Sequence, residues 1–132
     1  PDVSTSLICN FGCISGNSGD QQQQYEMCKT PLNECVVIDF GGYLNTLKSH
    51  VMDYRDLSES GDVSEAAHHL FDTLRWTENI DGVKQVLLVD IFEVEKSRTP
   101  ESFQHHEHLK AVADRMFRAA SGHRVIVNNR SL

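Results

Sequence analysis

Two stretches of this chain are apolar without alternation: Cys35–Val36–Val37–Ile38 and Val86–Leu87–Leu88–Val89. A strand with one face in water alternates apolar and polar residues, so a strand that is apolar at every position is covered on both faces. Such strands belong inside parallel sheets. Parallel neighbours cannot be joined by a tight hairpin and need a long crossover, usually a helix. The chain is therefore expected to alternate buried strands with amphipathic helices.

The helices are legible. Asp62 and Glu65 stand at capping-box spacing. Asp62 is expected to accept from the free amides of the first turn, and Glu65 to reach back to the cap amide. Val63, Ala66, Ala67, Leu70, Phe71 and Leu74 follow at steps of three and four, one apolar stripe on a helix over Val63–Trp76. Thr99–Pro100–Glu101 supplies a hydroxyl cap, a first-turn proline and an acid facing the helix dipole. Leu109, Val112, Ala113, Met116, Phe117 and Ala120 form the stripe of a second helix over Pro100–Ser121, which Gly122 is placed to end.

Strands are expected at Ser6–Phe11, Cys35–Phe40, Met52–Leu57, within Val83–Phe92, and at Arg124–Val127. Leu44, Leu47 and Val51 suit a short helix after the second strand. Residues 15–34, with Gln21–Gln24, read as a polar loop, and Glu93–Arg98 as a charged one. This order predicts an α/β fold: a three-layer α/β/α Rossmann-like domain with a mostly parallel sheet of about five strands. Its two long helices would sandwich the strand Val86–Ile91. A single domain is expected over residues 1–132, with 1–34 an atypical N-terminal strand and loop and 35–132 the core.

The 132 residues are 39% hydrophobic and 23% charged, enough for one ordinary core. No apolar run approaches the roughly 20 residues of a membrane span. No secretory signal is expected, which favours a cytoplasmic protein, with mitochondria the alternative. The chain begins at Pro1 rather than Met and reads as a segment of something longer. Twelve Lys and Arg stand against nineteen Asp and Glu, a net charge of -7. Residues 1–109 hold seven bases and eighteen acids, a balance of -11, whereas residues 110–132 hold five bases and one acid, a balance of +4. An acidic body repels phosphate backbones, so direct nucleic-acid binding is not expected.

Cys9, Cys13, Cys28 and Cys35 all lie near the N-terminus. Their spacing departs from paired zinc knuckles, and they read as buried reduced thiols. Neither a dinucleotide-binding glycine pattern nor a Walker A lysine follows the first strand. His105, His106 and His108 flank Glu107 and read as solvated helix surface; His68 and His69 lie at the edge of the first stripe. No nucleophile elbow is present. No catalytic residue and no metal site are assigned. Asp39 and Asp90 each end a buried strand, where open α/β sheets bind ligands, and are the ligand candidates. Arg75, Asp114 and Arg115, beside the helical stripes, are candidates for structural ion pairs or for contact with a neighbouring domain.

Two blocks, read together, carry a resemblance. The first contains Leu70–Phe71–Asp72–Thr73–Leu74–Arg75; the second contains Asp114–Arg115–Met116–Phe117–Arg118–Ala119–Ala120; the strand Val83–Val89 lies between them. This order resembles the C-terminal Sua5 domain of the Sua5/YrdC family, the threonylcarbamoyl-AMP synthases, over roughly residues 54–127. The resemblance implies a Rossmann-like accessory domain joined in cis to a catalytic YrdC domain. The parent reaction it implies converts L-threonine, bicarbonate and ATP, with Mg2+, to threonylcarbamoyl-AMP, the donor for t6A modification of tRNA beside the anticodon. This segment would then be non-catalytic and carry no cofactor, with Arg75, Asp114 and Arg115 the interdomain-contact candidates. The alternatives are a free-standing small α/β protein binding a nucleotide or phosphorylated ligand through Asp39 and Asp90, or a pure protein-interaction module.

Overall fold

A computed structural model describes residues 4–9, 26–27, 29–91, 94–95, 107–120 and 124–126. Six strands form one sheet: β1 (Ser4–Cys9), β2 (Glu26–Met27), β3 (Cys35–Asp39), β4 (Asp53–Asp56), β5 (Gln85–Val89) and β6 (Arg124–Ile126). Their order is β2-β6-β1-β5-β3-β4 and every pairing is parallel. Two α-helices, α1 (Val63–Thr77) and α2 (Glu107–Ala119), and two 3-10 turns, Leu32–Glu34 and Asn45–Leu47, complete the described elements.

The unalternated runs became the central strands, as their composition requires. Cys35 through Ile38 and Val86 through Val89 are all buried. Each such side chain contributes roughly 1.5–3 kcal/mol on leaving water. β4 lies at the sheet edge, and its residues alternate between exposed and half-buried.

The placement of the helices differs from expectation. They do not sandwich the central strand; they lie side by side, with the Arg115 guanidinium of α2 5.0 Å from the ring centroid of Phe71 on α1. The reason is topological. The crossovers β4→β5 and β5→β6 both run toward the β2 edge, and right-handed crossovers running the same way fall on the same face. The β3→β4 connection runs the opposite way, so the same rule sends it over the other face. It carries the Asn45–Leu47 turn, with Leu44 and Leu47 buried. The strand order also departs from the 3-2-1-4-5-6 of the Rossmann arrangement.

The α1 stripe is rotated toward Thr73 and Thr77, whereas the α2 stripe lies where expected but is narrower. On α1 the buried residues are Val63, Ala66, Leu70, Thr73 and Thr77, while Phe71 is 61% exposed. Thr77 can be buried because its hydroxyl donates to the Leu74 carbonyl at 2.6 Å. On α2, Leu109, Val112 and Met116 are buried, followed by Ala120, and Phe117 is 42% exposed. Within the expected loop after β5, Val94 and Glu95 are buried, and the Val94 amide donates to the Asp90 carbonyl at 3.1 Å, a helical turn. A two-residue strand, Glu26–Met27, occupies part of the expected polar loop. The helix start at Thr99–Pro100 and the stop at Gly122 lie outside the described residues.

Candidate functional site

In a parallel sheet all strands end on one edge, and β3 and β4 end there on carboxylates. Asp39 is the last residue of β3 and Asp56 the last of β4, and the register sets them opposite each other. The sequence pairs Asp39 with Asp90; the structure pairs it with Asp56. Asp90 stands one residue past β5 and is buried.

The two carboxylates organise the chain that leaves β3. Asp39, with no exposed surface, accepts from the Phe40 amide at 2.7 Å, the Leu44 amide at 2.8 Å and the Tyr54 hydroxyl at 2.5 Å. Asp56 accepts from the amides of Gly41 at 3.0 Å, Gly42 at 2.7 Å and Ser58 at 2.9 Å. Gly41 and Gly42 have φ of 63° and 72°, the left-handed region, so two successive amides turn toward one carboxylate. The sequence signal for this knot was the Gly41–Gly42 pair together with an aspartate closing each flanking strand; Asp56 was the half of the pair missed.

Burial pushes the Asp39 carboxyl above the ordinary aspartate range; its hydrogen bonds from Tyr54, Phe40 and Leu44 oppose this, and the nearby Asp56 charge adds to the rise. Burial also raises the Tyr54 hydroxyl, helped by its bond to Asp39. Lys48 lies 5.4 Å over the Tyr54 ring.

Beside this knot, a cleft of about 560 Å³ opens between the end of β4 and the start of α1, lined in part by Arg55, Asp56, Ser58, Glu65, His69 and Asp72. Ser58 and Glu65 of its lining belong to a relay. Asp62 caps α1, accepting from the amides of Ser64 at 2.9 Å and Glu65 at 3.4 Å. Glu65 does not reach back to the cap amide as expected. The Asp62 amide donates to the Ser58 Oγ at 2.9 Å, and the Ser58 hydroxyl donates to Glu65 Oε1 at 2.6 Å. Ser58 is buried and stands between the two ends of the box. The helix start is thereby closed by its own side chains. Arg55 stacks on Trp76, its guanidinium 4.1 Å from the ring centroid.

The remaining candidates lie elsewhere. Arg75, Asp114 and Arg115 are exposed on the helical layer. Asp114 pairs with Arg118, 3.1 Å away and one turn along α2, and Arg115 faces Phe71. The structure does not bring these three to Asp39 and Asp56. His68 and His69 are exposed, and His69 lies 4.0 Å from Glu65. His105 and His106 lie outside the described residues. Cys35 is buried and its thiol donates to the Pro31 carbonyl at 3.4 Å; Cys13 and Cys28 lie outside the described residues. Among the described residues no group of three His, Cys, Asp or Glu is placed to hold a metal ion, and no helix is long and apolar enough to cross a membrane.

Comparison with known proteins adds the family. The family described as threonylcarbamoyl-AMP synthase, C-terminal domain, matches residues 12–121. The match begins within the N-terminal stretch set apart as atypical, and includes both helices and the knot. No curated protein and no solved structure matches. With most of its length matched and an α/β fold on a parallel sheet, the chain belongs to the family of the C-terminal domain of threonylcarbamoyl-AMP synthase.

Proposed function

We propose that this domain is the accessory half of an L-threonylcarbamoyl-AMP synthase, working in cis on a catalytic YrdC domain and carrying no catalytic residue of its own. The observation that carries this reading is the family match over residues 12–121. In that setting the catalytic domain converts L-threonine, bicarbonate and ATP, with Mg2+, to threonylcarbamoyl-AMP for the t6A modification of tRNA, in the cytoplasm. ATP and Mg2+ are taken by that domain, and tRNA is not held by this one. The net charge of -7 supports the last point.

The outer helical layer is the docking surface in this reading. Arg75, Asp114 and Arg115 are exposed there, and Phe71 gives it an aromatic centre. Asp39 is enclosed by three donors, which supports a structural role for it over a ligand-binding one.

The test is to measure threonylcarbamoyl-AMP formation by the catalytic domain alone and joined to this domain, with and without Arg115→Glu. The expected result is a change in kcat or KM on joining that Arg115→Glu reverses, with folding preserved. Equal kinetics in all three proteins would overturn the proposal. Calorimetry of this chain with ATP separates the alternative: saturable binding abolished by Asp39→Ala would mark a ligand-binding protein instead.

A further inference from the structure

The cleft between the end of β4 and the start of α1, about 560 Å³, falls within the roughly 300–1,000 Å³ of ligand pockets. Its lining sets four carboxylates, Asp56, Glu59, Glu65 and Asp72, against one guanidinium, Arg55. Two of the acids are engaged, Asp56 by three backbone amides and Glu65 by the Ser58 hydroxyl. Glu59 and Asp72 are exposed and make no hydrogen bond or ion pair among the described residues.

A buried hydroxyl adds an observation independent of the acids. Thr73 lines the cleft and is 2% exposed. One turn along α1, Thr77 satisfies its hydroxyl on the Leu74 carbonyl. The Thr73 hydroxyl has no hydrogen-bond partner among the described residues. Every fully enclosed side-chain oxygen among them has one, so the small surface that Thr73 keeps includes its hydroxyl, and that surface faces the cleft. A buried polar group in this state calls for a partner from outside the fold. Arg55 is held on the Trp76 ring, and its N–H groups pair with no carboxylate among the described residues.

The cleft thus offers acceptors for a cation, at Asp72 and the Thr73 hydroxyl, and donors for a carbonyl, at Arg55. A bare polyamine would meet like charge at Arg55. A peptide brings both a basic side chain and main-chain carbonyls. We propose that this cleft docks an extended segment of a partner protein bearing a lysine or arginine. The cationic head sits between the Asp72 carboxylate and the Thr73 hydroxyl, which both accept from it. Arg55 stays on Trp76 and donates to a main-chain carbonyl of the segment. Glu65, His69, Asp72 and Trp76 stand at steps of four, three and four, one stripe of α1, and Phe71 and Arg75 lie on another. The surface is therefore separate from the outer helical layer, and the inference does not rest on the accessory role.

The test is tryptophan fluorescence of the full 132-residue chain, backed by calorimetry, because Trp76 is its one tryptophan and lies under Arg55. The probes are an acetylated, amidated pentapeptide of alanines with a central lysine, the same peptide with a central glutamate, and spermidine. The lysine peptide is expected to bind saturably and more tightly than the other two. Thr73→Val is expected to weaken it about three- to tenfold and to leave the urea midpoint unchanged, since no internal bond is lost. Asp72→Asn is expected to weaken it about two- to fivefold, and Arg115→Glu, on the outer layer, to leave it unchanged. No saturable binding of the lysine peptide, equal binding of the glutamate peptide or spermidine, or full affinity in both cleft variants overturns the proposal. A urea midpoint lowered by Thr73→Val assigns the hydroxyl to the fold and overturns it as well.

Discussion

The Arg115 guanidinium of α2 lies over the ring of Phe71 on α1, 5.0 Å from its centroid. This contact ties the two helices together on the outer side of the sheet, where both partners are exposed. A cation over an exposed aromatic ring contributes about 0.5–1 kcal/mol. Arg115→Ala is therefore expected to lower the unfolding free energy by no more than about 1 kcal/mol in urea denaturation. Asp114→Ala, which breaks only the exposed pair with Arg118, is expected to cost about 0.3–0.5 kcal/mol. A loss above about 2 kcal/mol from Arg115→Ala would mean that the residue holds the core rather than the surface.

Ser58 joins the cap residue to Glu65. Its removal takes the acceptor from the Asp62 amide and a donor from Glu65. Ser58→Ala is expected to cost about 1–3 kcal/mol. Asp62→Ala is expected to cost about 1 kcal/mol, the ordinary loss of a cap. Ser58 and Glu65 act on one hydrogen bond, so the double variant should cost less than the two single losses together. Additive losses in a urea double-mutant cycle would show that the relay is not coupled.

Asp39 has its carboxyl pKa raised by burial. A group raised in the folded state contributes stability that is fully present below its unfolded value, near 3.8, and lost as pH rises through the folded value. The stability of the wild type relative to Asp39→Asn is thus expected to fall as pH rises from the acid limit through the raised pKa, then to level off. Tyr54 follows the same sign at the alkaline end. Its contribution is present below about pH 10 and fades above it, and Tyr54→Phe should flatten that decline. Urea midpoints collected across pH check both. A relative stability that climbs with pH through the acid range would reverse the assignment for Asp39.

Gly42 adopts φ +72°, and a Cβ built there meets the Asn45 side-chain nitrogen at 3.8 Å, an ordinary contact. Space is therefore not the obstacle; backbone conformation is. Gly42→Ala is expected to cost about 1–2 kcal/mol, and Gly42→Asn less, because asparagine tolerates the left-handed region. Equal losses for the two variants in thermal or urea unfolding would point to crowding instead.

The buried strands were legible because burial on both faces leaves a direct mark in composition, as at Cys35–Ile38 and Val86–Val89. The cap at Asp62 was legible because it depends on residues a few positions apart. The sharing of one face by α1 and α2 was not. It follows from strand order, which no local spacing encodes. The same limit hid Asp56. Its partner Asp39 is remote in sequence, and only the β3–β4 register brings them together. Phe71 misled for a different reason. Its spacing fits the α1 stripe, but its position on the flank puts it in the groove beside Arg115 rather than under the helix.

β4 closes one side of the sheet with Asp53 and Arg55 pointing outward. An incoming extended peptide that tried to add a seventh strand there would have to strip water from both charges and pull Arg55 off Trp76. The backbone donors and acceptors on this edge are thus guarded against uncontrolled self-association.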